Sequence, residues 1–195
     1  MSIATYSLRS LQTLRARLSA RAAPFGRFAR AREAATAVEF ALVATPFLAL
    51  IFAILQTAII FFASQTLETA AANSSRLILT GQAQNGGWTA AQFKQQVCAQ
   101  IYAIFDCNNS VYVDVESYAS FSAVNLNPPV SNGNFNAAQL GFNPGAPGSI
   151  VMVRLYYQYP VYVNLLNLSG DLANLNGGFS LLAATVVFKN EPYSS

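Results

Sequence analysis

The chain has 195 residues, 53% of them hydrophobic and only 10% charged, a charge content well below that of an ordinary cytosolic globular protein. Its formal charge of +3 comes from an arginine-rich start, and no aromatic–basic interleaving of the kind that grips single strands follows, so nucleic acid is excluded as a partner. The absence of histidine removes the usual neutral-pH general base and the commonest metal ligand, and no GxSxG, Walker or GxGxxG motif occurs. The chain therefore reads as non-enzymatic, with no cofactor and no metal.

Residues 1–34 are rich in Arg, Ser and Ala, with Arg9, Arg15, Arg17, Arg21, Arg27, Arg30 and Arg32 preceding the apolar run and no acid before Glu33. A mitochondrial transit peptide shares this composition, but the long apolar run and the cysteine pair fit a bacterial envelope protein better. The positive-inside bias places this leader in the cytoplasm and the C-terminal part across the membrane.

From Phe40 to Phe62 the sequence has 23 residues without a charge. At roughly 1.5 Å per residue, a helix of that length crosses a hydrocarbon core of about 30 Å. Beyond Phe62 the chain stays free of Pro and Gly up to Gly81, which predicts one helix from about Ala37 to Leu79, half in lipid and half a stalk, stopped by Gly81.

Thr89 and Gln92 form a predicted capping box, and Phe93, Val97, Ile101 and Phe105 recur on one face, so a short amphipathic helix follows. It carries Cys98 toward Cys107. In an oxidising compartment this lone close pair reads as a disulfide, against the alternative of two unpaired core thiols. From Val111 the period changes to two: Val111, Val113 and Val115 alternate with Tyr112, Asp114 and Glu116, and the two carboxylates are assigned to a solvated sheet face rather than a cation site. An Asn-, Pro- and Gly-rich stretch over about 125–148 reads as a surface loop. Residues 150–163 place Val151, Val153, Leu155, Tyr157, Tyr159, Val161 and Val163 on one face of a strand, or of two strands broken near Pro160. Residues 179–190 form a third strand. Phe188 ends its apolar face, and Lys189, Asn190, Glu191 and Pro192 read as a turn that locks the strand to the domain, the alternative being a frayed tail. The fold class is α+β: a long N-terminal transmembrane and stalk helix over 35–80, then a small antiparallel-sheet domain over 81–195 on the extracytoplasmic side.

Glu39 stands at the lip of the apolar helix. In a generic signal anchor its carboxylate would snorkel to headgroups or to Arg32. Here it also follows the small residues Ala34, Ala35 and Ala37 and a basic leader, and precedes Phe40. The stretch REAATAVEFALVATPFLALIF resembles the N-terminal signature of TadE-like minor pilins (pseudopilins) of tight-adherence, or type IVc, pilus systems, and FKNEPY at 188–193 is similar to the Asn-Glu-Pro-aromatic ending of that family. The resemblance implies cleavage between Ala34 and Ala35 by a prepilin peptidase, Glu39 as the fifth mature residue pairing with the new amine, and Pro46 as the helix proline. It also implies a pilin-like fold and a subunit of the bacterial inner membrane that primes or joins an adhesive pilus. Its partners would be the peptidase, other pilin-like subunits, the assembly platform and inner-membrane lipid. Ala34 departs from the family pattern, standing where such peptidases usually meet glycine. Two other readings remain: a membrane-anchored periplasmic scaffold, and a tethered module that binds glycans or another surface.

Overall fold

The computed structural model describes residues 32–101, 106–161 and 173–193. Helix α1 spans Arg32–Leu79, 48 residues, beginning before the expected Ala37 and ending at the expected residue. Several of its hydroxyls bond back to their own helix: Thr57 Oγ1 donates to the Ala53 carbonyl at 2.9 Å and Ser74 Oγ to that of Ala70 at 2.6 Å. Termination follows from Gly81, whose φ of 79° lies in the left-handed region that a side chain disfavours.

Two compact units divide the chain, one ending at Ile51 and one beginning at Phe52. The first holds the start of α1, whose Val38, Phe40, Leu42, Val43, Phe47, Leu48 and Leu50 are all exposed. In the second, α1 changes character. Ile60, Ala63, Leu67, Ala70, Ala71, Ser74 and Ile78 are buried, a spacing of three and four that makes one apolar stripe. This stripe belongs to the same buried core as the sheet. The expected stalk is thus, in its C-terminal half, a core element of the sheet domain.

After α1 come α2 (Gln82–Asn85), α3 (Ala90–Cys98) and α4 (Cys107–Ser110). The capping box of α3 forms as its sequence implies, with Gln92 N–H donating to Thr89 Oγ1 and Thr89 N–H to Gln92 Oε1. The helix is shorter than expected: it stops at Cys98. Phe93, Val97 and Ile101 are buried, and Phe105 lies outside the described residues.

Strands β1 (Val111–Tyr118), β4 (Ile150–Pro160) and β5 (Phe179–Lys189) form an antiparallel sheet in the order β1-β4-β5. The alternation read from sequence sets which side chains face α1: Val111 and Val115 from β1, Val151, Val153, Leu155, Tyr157 and Tyr159 from β4, and Leu182 and Ala184 from β5 join the α1 stripe in one core. Strand β4 ends at Pro160, where the sequence allowed a break, and Val163 lies outside the described residues.

The opposite sheet face is covered over β1 and β4, while Ala183 and Thr185 of β5 stay exposed on it. Residues 119–149 fold over it, and they contain a two-residue hairpin, β2 (Val130–Ser131) and β3 (Asn134–Phe135). Its turn, Asn132-Gly133, has both φ values positive, 52° and 74°, the conformation a tight two-residue hairpin needs. Phe135 lies between Tyr112 and Tyr156, with ring centroids 5.0 and 5.3 Å away. The assignment of Asp114 to a solvated face is therefore corrected, since it is 1% exposed, whereas the Glu116 side chain is 36% exposed. The physical reason is a partner distant in sequence, Arg154, which neutralises Asp114 under the loop.

Candidate functional site

Ala34 and Ala35 lie in the first turns of α1, and Glu39 one turn beyond Ala35. Residues four apart share a helix face, and helical side chains lean toward the N-terminus, so the Glu39 side chain is directed back toward Ala35. Glu39 is exposed, and the next residue, Phe40, is 74% exposed. Pro46 sits inside the helix without ending it. Lacking an N–H, it leaves the Leu42 carbonyl without its usual donor. The Thr45 hydroxyl one residue earlier donates to Ala41 at 2.7 Å. From Ala35 to Leu79 this helix is long and apolar enough to cross a membrane.

The remaining candidates belong to the second unit. Cys98, the last residue of α3, and Cys107, the first of α4, form a disulfide with a Cα–Cα distance of 5.6 Å, inside the range the bond requires. Asp106 caps α4 by accepting from the Asn109 backbone and side-chain amides. Closing so short a loop contributes ~2–3 kcal/mol in the chain-entropy account.

At the C-terminus, Asn190 is buried, and its backbone and side-chain N–H groups are engaged while its Oδ1 has no partner among the described residues. Its N–H donates to the Ser149 carbonyl at 2.8 Å, and its Nδ2 to the carbonyls of Pro144 and Ala146 at 2.9 and 3.1 Å. Pro144 O also accepts Gln84 Nε2 at 2.8 Å. Glu191 N–H donates to the Leu79 carbonyl at 3.0 Å, satisfying one of the last carbonyls of α1. Tyr193 closes the arrangement: its ring covers Gly81, where a Cβ would collide with it, and its hydroxyl donates to Gly145 O at 3.3 Å. Burial pushes the Tyr193 hydroxyl above the ordinary tyrosine pKa. Asn190, Glu191 and Tyr193 therefore tie the end of α1 to the 144–149 turn, while Lys189 is exposed.

The cluster that sequence reasoning missed centres on Arg154. Its Nη2 lies 2.5 Å from Asp114 Oδ2 and 3.0 Å from Glu116 Oε1, and its Nη1 donates to the carbonyls of Asn125 and Asn127 at 3.2 and 3.0 Å. Asp114 Oδ1 accepts the Gly141 N–H at 2.8 Å. Burial lowers the Arg154 pKa, but the hydrogen bond and charge of Asp114, with the charge of Glu116, more than offset it and hold it above its ordinary value. The one charged residue in a strand dominated by apolar and aromatic side chains was the available signal. Among the described residues no group of His, Cys, Asp or Glu is placed to hold a metal ion.

The fold and these features define a class: an apolar helix of membrane-crossing length followed by a small disulfide-bonded antiparallel-sheet domain. A family model described as "TadE-like protein" matches residues 34–76, the segment that contains Ala35, Glu39, Phe40 and Pro46 and ends shortly before Gly81. The match is to the family that the sequence resembles. No curated protein matches, and no solved structure does.

Proposed function

We propose that the chain is a minor pilin of a tight-adherence pilus. A prepilin peptidase removes residues 1–34 at the cytoplasmic face of the inner membrane, the helix from Ala35 to Leu79 stores the subunit in the bilayer with the sheet domain in the periplasm, and the subunit then primes or joins the pilus. The observation that carries this reading is the TadE-like match over 34–76 with Glu39 one helical turn beyond Ala35. After cleavage the new amine and the Glu39 carboxylate share a helix face. When the helix leaves the lipid interface for a bundle of pilin-like helices, the amine loses headgroups and water together, and a fixed anion replaces them. The exposed apolar side chains of the first unit serve lipid first and neighbouring helices afterwards.

Two measurements test it. The mature protein should begin at Ala35 by intact mass. Glu39→Gln should insert and be cleaved but fail to restore piliation at matched protein level, with Glu39→Asp intermediate because its shorter arm keeps the charge and misses the distance. Wild-type piliation with Glu39→Gln would overturn the pairing role and leave the membrane-resident scaffold as the better reading.

A further inference from the structure

The exposed face of α1 changes chemistry inside the second unit. Phe52, Ile54, Leu55, Ile59, Phe61 and Phe62 are exposed and apolar, whereas the exposed residues that follow include Gln65, Glu68, Thr69, Asn73 and Arg76. An apolar face of that size belongs in hydrocarbon and the polar one in water. The change after Phe62 therefore marks where this face of the helix leaves the bilayer, a step that rests on the membrane-stored subunit proposed above.

The opposite face does not follow the same boundary. Gln56 and Ile60 are buried, and Ile60 belongs to the core that contains Tyr157, Tyr159 and Leu182 of the sheet. The cover over the helix thus reaches back to Gln56, about 9 Å along the axis before Phe62. The polar layer of a bilayer is about 5–7 Å deep on each side. A domain that covers Gln56 therefore cannot stand clear of that layer on a stalk.

Register identifies the end of the sheet that reaches this level. Glu191 N–H on the Leu79 carbonyl holds the Lys189 end of β5 at the C-terminal end of α1. Phe179, at the other end of β5 and opposite Pro160, lies about 33 Å away along the strand, and Gln56 lies about 35 Å from Leu79 along the helix. The buried stripe from Ile60 to Ile78 is about 27 Å long, against about 10 Å between the outer strands of a three-stranded sheet. Helix α1 thus runs lengthwise over the strands, and Phe179 comes level with Gln56 and Ile60. Among the described residues of the three strands, Phe179 is the only large apolar side chain left exposed. Around it, 155–161 and 173–188 contain no charged residue, and Tyr157 and Tyr159 stand at the same end of β4.

We infer that the Phe179 end of the sheet domain is a second membrane contact, a rim seated among the phospholipid headgroups beside the helix. The occupant follows from continuity: the exposed apolar face from Phe52 to Phe62 already requires lipid at the level where Phe179 stands. An exposed aromatic ring among uncharged polar neighbours such as Asn174 and Asn176 suits the headgroup layer, where one part of a side chain is apolar and its surroundings are wet. Without charge on the rim, the contact does not require anionic lipid. Leaving the bilayer then means releasing the rim together with the helix.

The test uses the full chain in phosphatidylcholine vesicles in which part of the lipid carries a nitroxide on its headgroup, a short-range quencher of tryptophan emission. The wild type reports from its one tryptophan, Trp88, whose N–H donates to the Ala83 carbonyl beyond the end of α1, and should be unquenched. Phe179→Trp should add emission that the nitroxide lipid reduces at least about twofold. Thr185→Trp, exposed and about 20 Å further along β5, should add emission that stays unchanged. Exchanging part of the phosphatidylcholine for phosphatidylglycerol should not alter the result at 179. No quenching at 179, equal quenching at 179 and 185, or quenching that depends on phosphatidylglycerol overturns the inference. Phe52→Trp in vesicles with brominated acyl chains separates the rim from the reading it rests on. Quenching at 52 beside none at 179 rejects the rim alone, whereas no quenching at 52 rejects the membrane-stored helix and the rim with it.

Discussion

Asp114 and Arg154 stand directly opposite one another on β1 and β4, with Arg154 Nη2 2.5 Å from Asp114 Oδ2 and both residues nearly closed off from solvent. The pair does more than neutralise itself, since the same guanidinium holds the carbonyls of Asn125 and Asn127 and the same carboxylate holds Gly141 N–H. One cross-strand pair thereby fastens both ends of the covering loop to the sheet. Replacing Arg154 by Met strands a buried carboxylate and should cost ~3–5 kcal/mol, measured by chemical denaturation of the full chain in detergent. Asp114→Leu combined with Arg154→Met should be less destabilised than Arg154→Met alone. If the double variant is the worse of the two, the cost lies in the loop contacts rather than in the unpaired charge.

Alkaline pH should loosen the same face. Burial, aided by the charges of Asp114 and Glu116 and opposed by that of Arg154, raises Tyr156 to about 12, against about 10 for a tyrosine in the unfolded chain. Between those values the folded state holds a proton that the unfolded state has lost. The stabilisation is therefore complete below the unfolded pKa and disappears as pH rises through the folded one. Tyr118, also raised by burial and by its bond to Glu116, acts in the same direction. Unfolding midpoints of the wild type and Tyr156→Phe should converge or cross between about pH 10 and 12. Parallel curves would show that Tyr156 carries none of the alkaline loss.

Asn190 supplies three hydrogen bonds from one buried residue. Asn190→Ala removes the two made by its side chain, leaving the Pro144 carbonyl to Gln84 Nε2 and the Ala146 carbonyl to Ser149 N–H, for an expected loss of ~1–3 kcal/mol. Gly81→Ala should damage the same clamp from the other side, because a Cβ there meets the Tyr193 ring and the φ of 79° is strained for any side chain. Deleting residues 189–195 should lower the melting temperature, and Gly81→Ala should add little to that deletion beyond its backbone strain. An unchanged melt after the deletion would mean that the clamp contributes nothing.

The disulfide is checked by alkylation. Without reductant, denatured full chain should label at neither Cys98 nor Cys107, and Cys98→Ser with Cys107→Ser should lose ~2–3 kcal/mol. Labelling of both sulfurs in protein taken from an oxidising compartment would contradict the bond.

Much of the fold was legible because its signals are local. The capping box at Thr89 and Gln92, the left-handed glycine at 81, the change of period at Val111 and the alternation along β4 each lie within a few residues, and the backbone geometry they favour does not depend on the rest of the chain. The Asn132-Gly133 hairpin is equally local, although it lies inside a stretch whose composition reads as loop. Its dipeptide is the signal that would have found it.

By itself the sequence determined where the helix and the strands lie, which side chains share a face, and that an acid stands one turn beyond a small-residue junction, since periodicity and turn chemistry are written in neighbouring residues. Only the tertiary structure decided which faces and edges are covered. The partner that buries Asp114 comes from 40 positions away, and the segment that closes the β1 edge arrives through Gly141 and Asn143. Burial of a polar side chain or a strand edge is a property of what lands on it. Strand alternation states that Asp114 faces away from the core, and only the loop folded across that face makes it an interior residue.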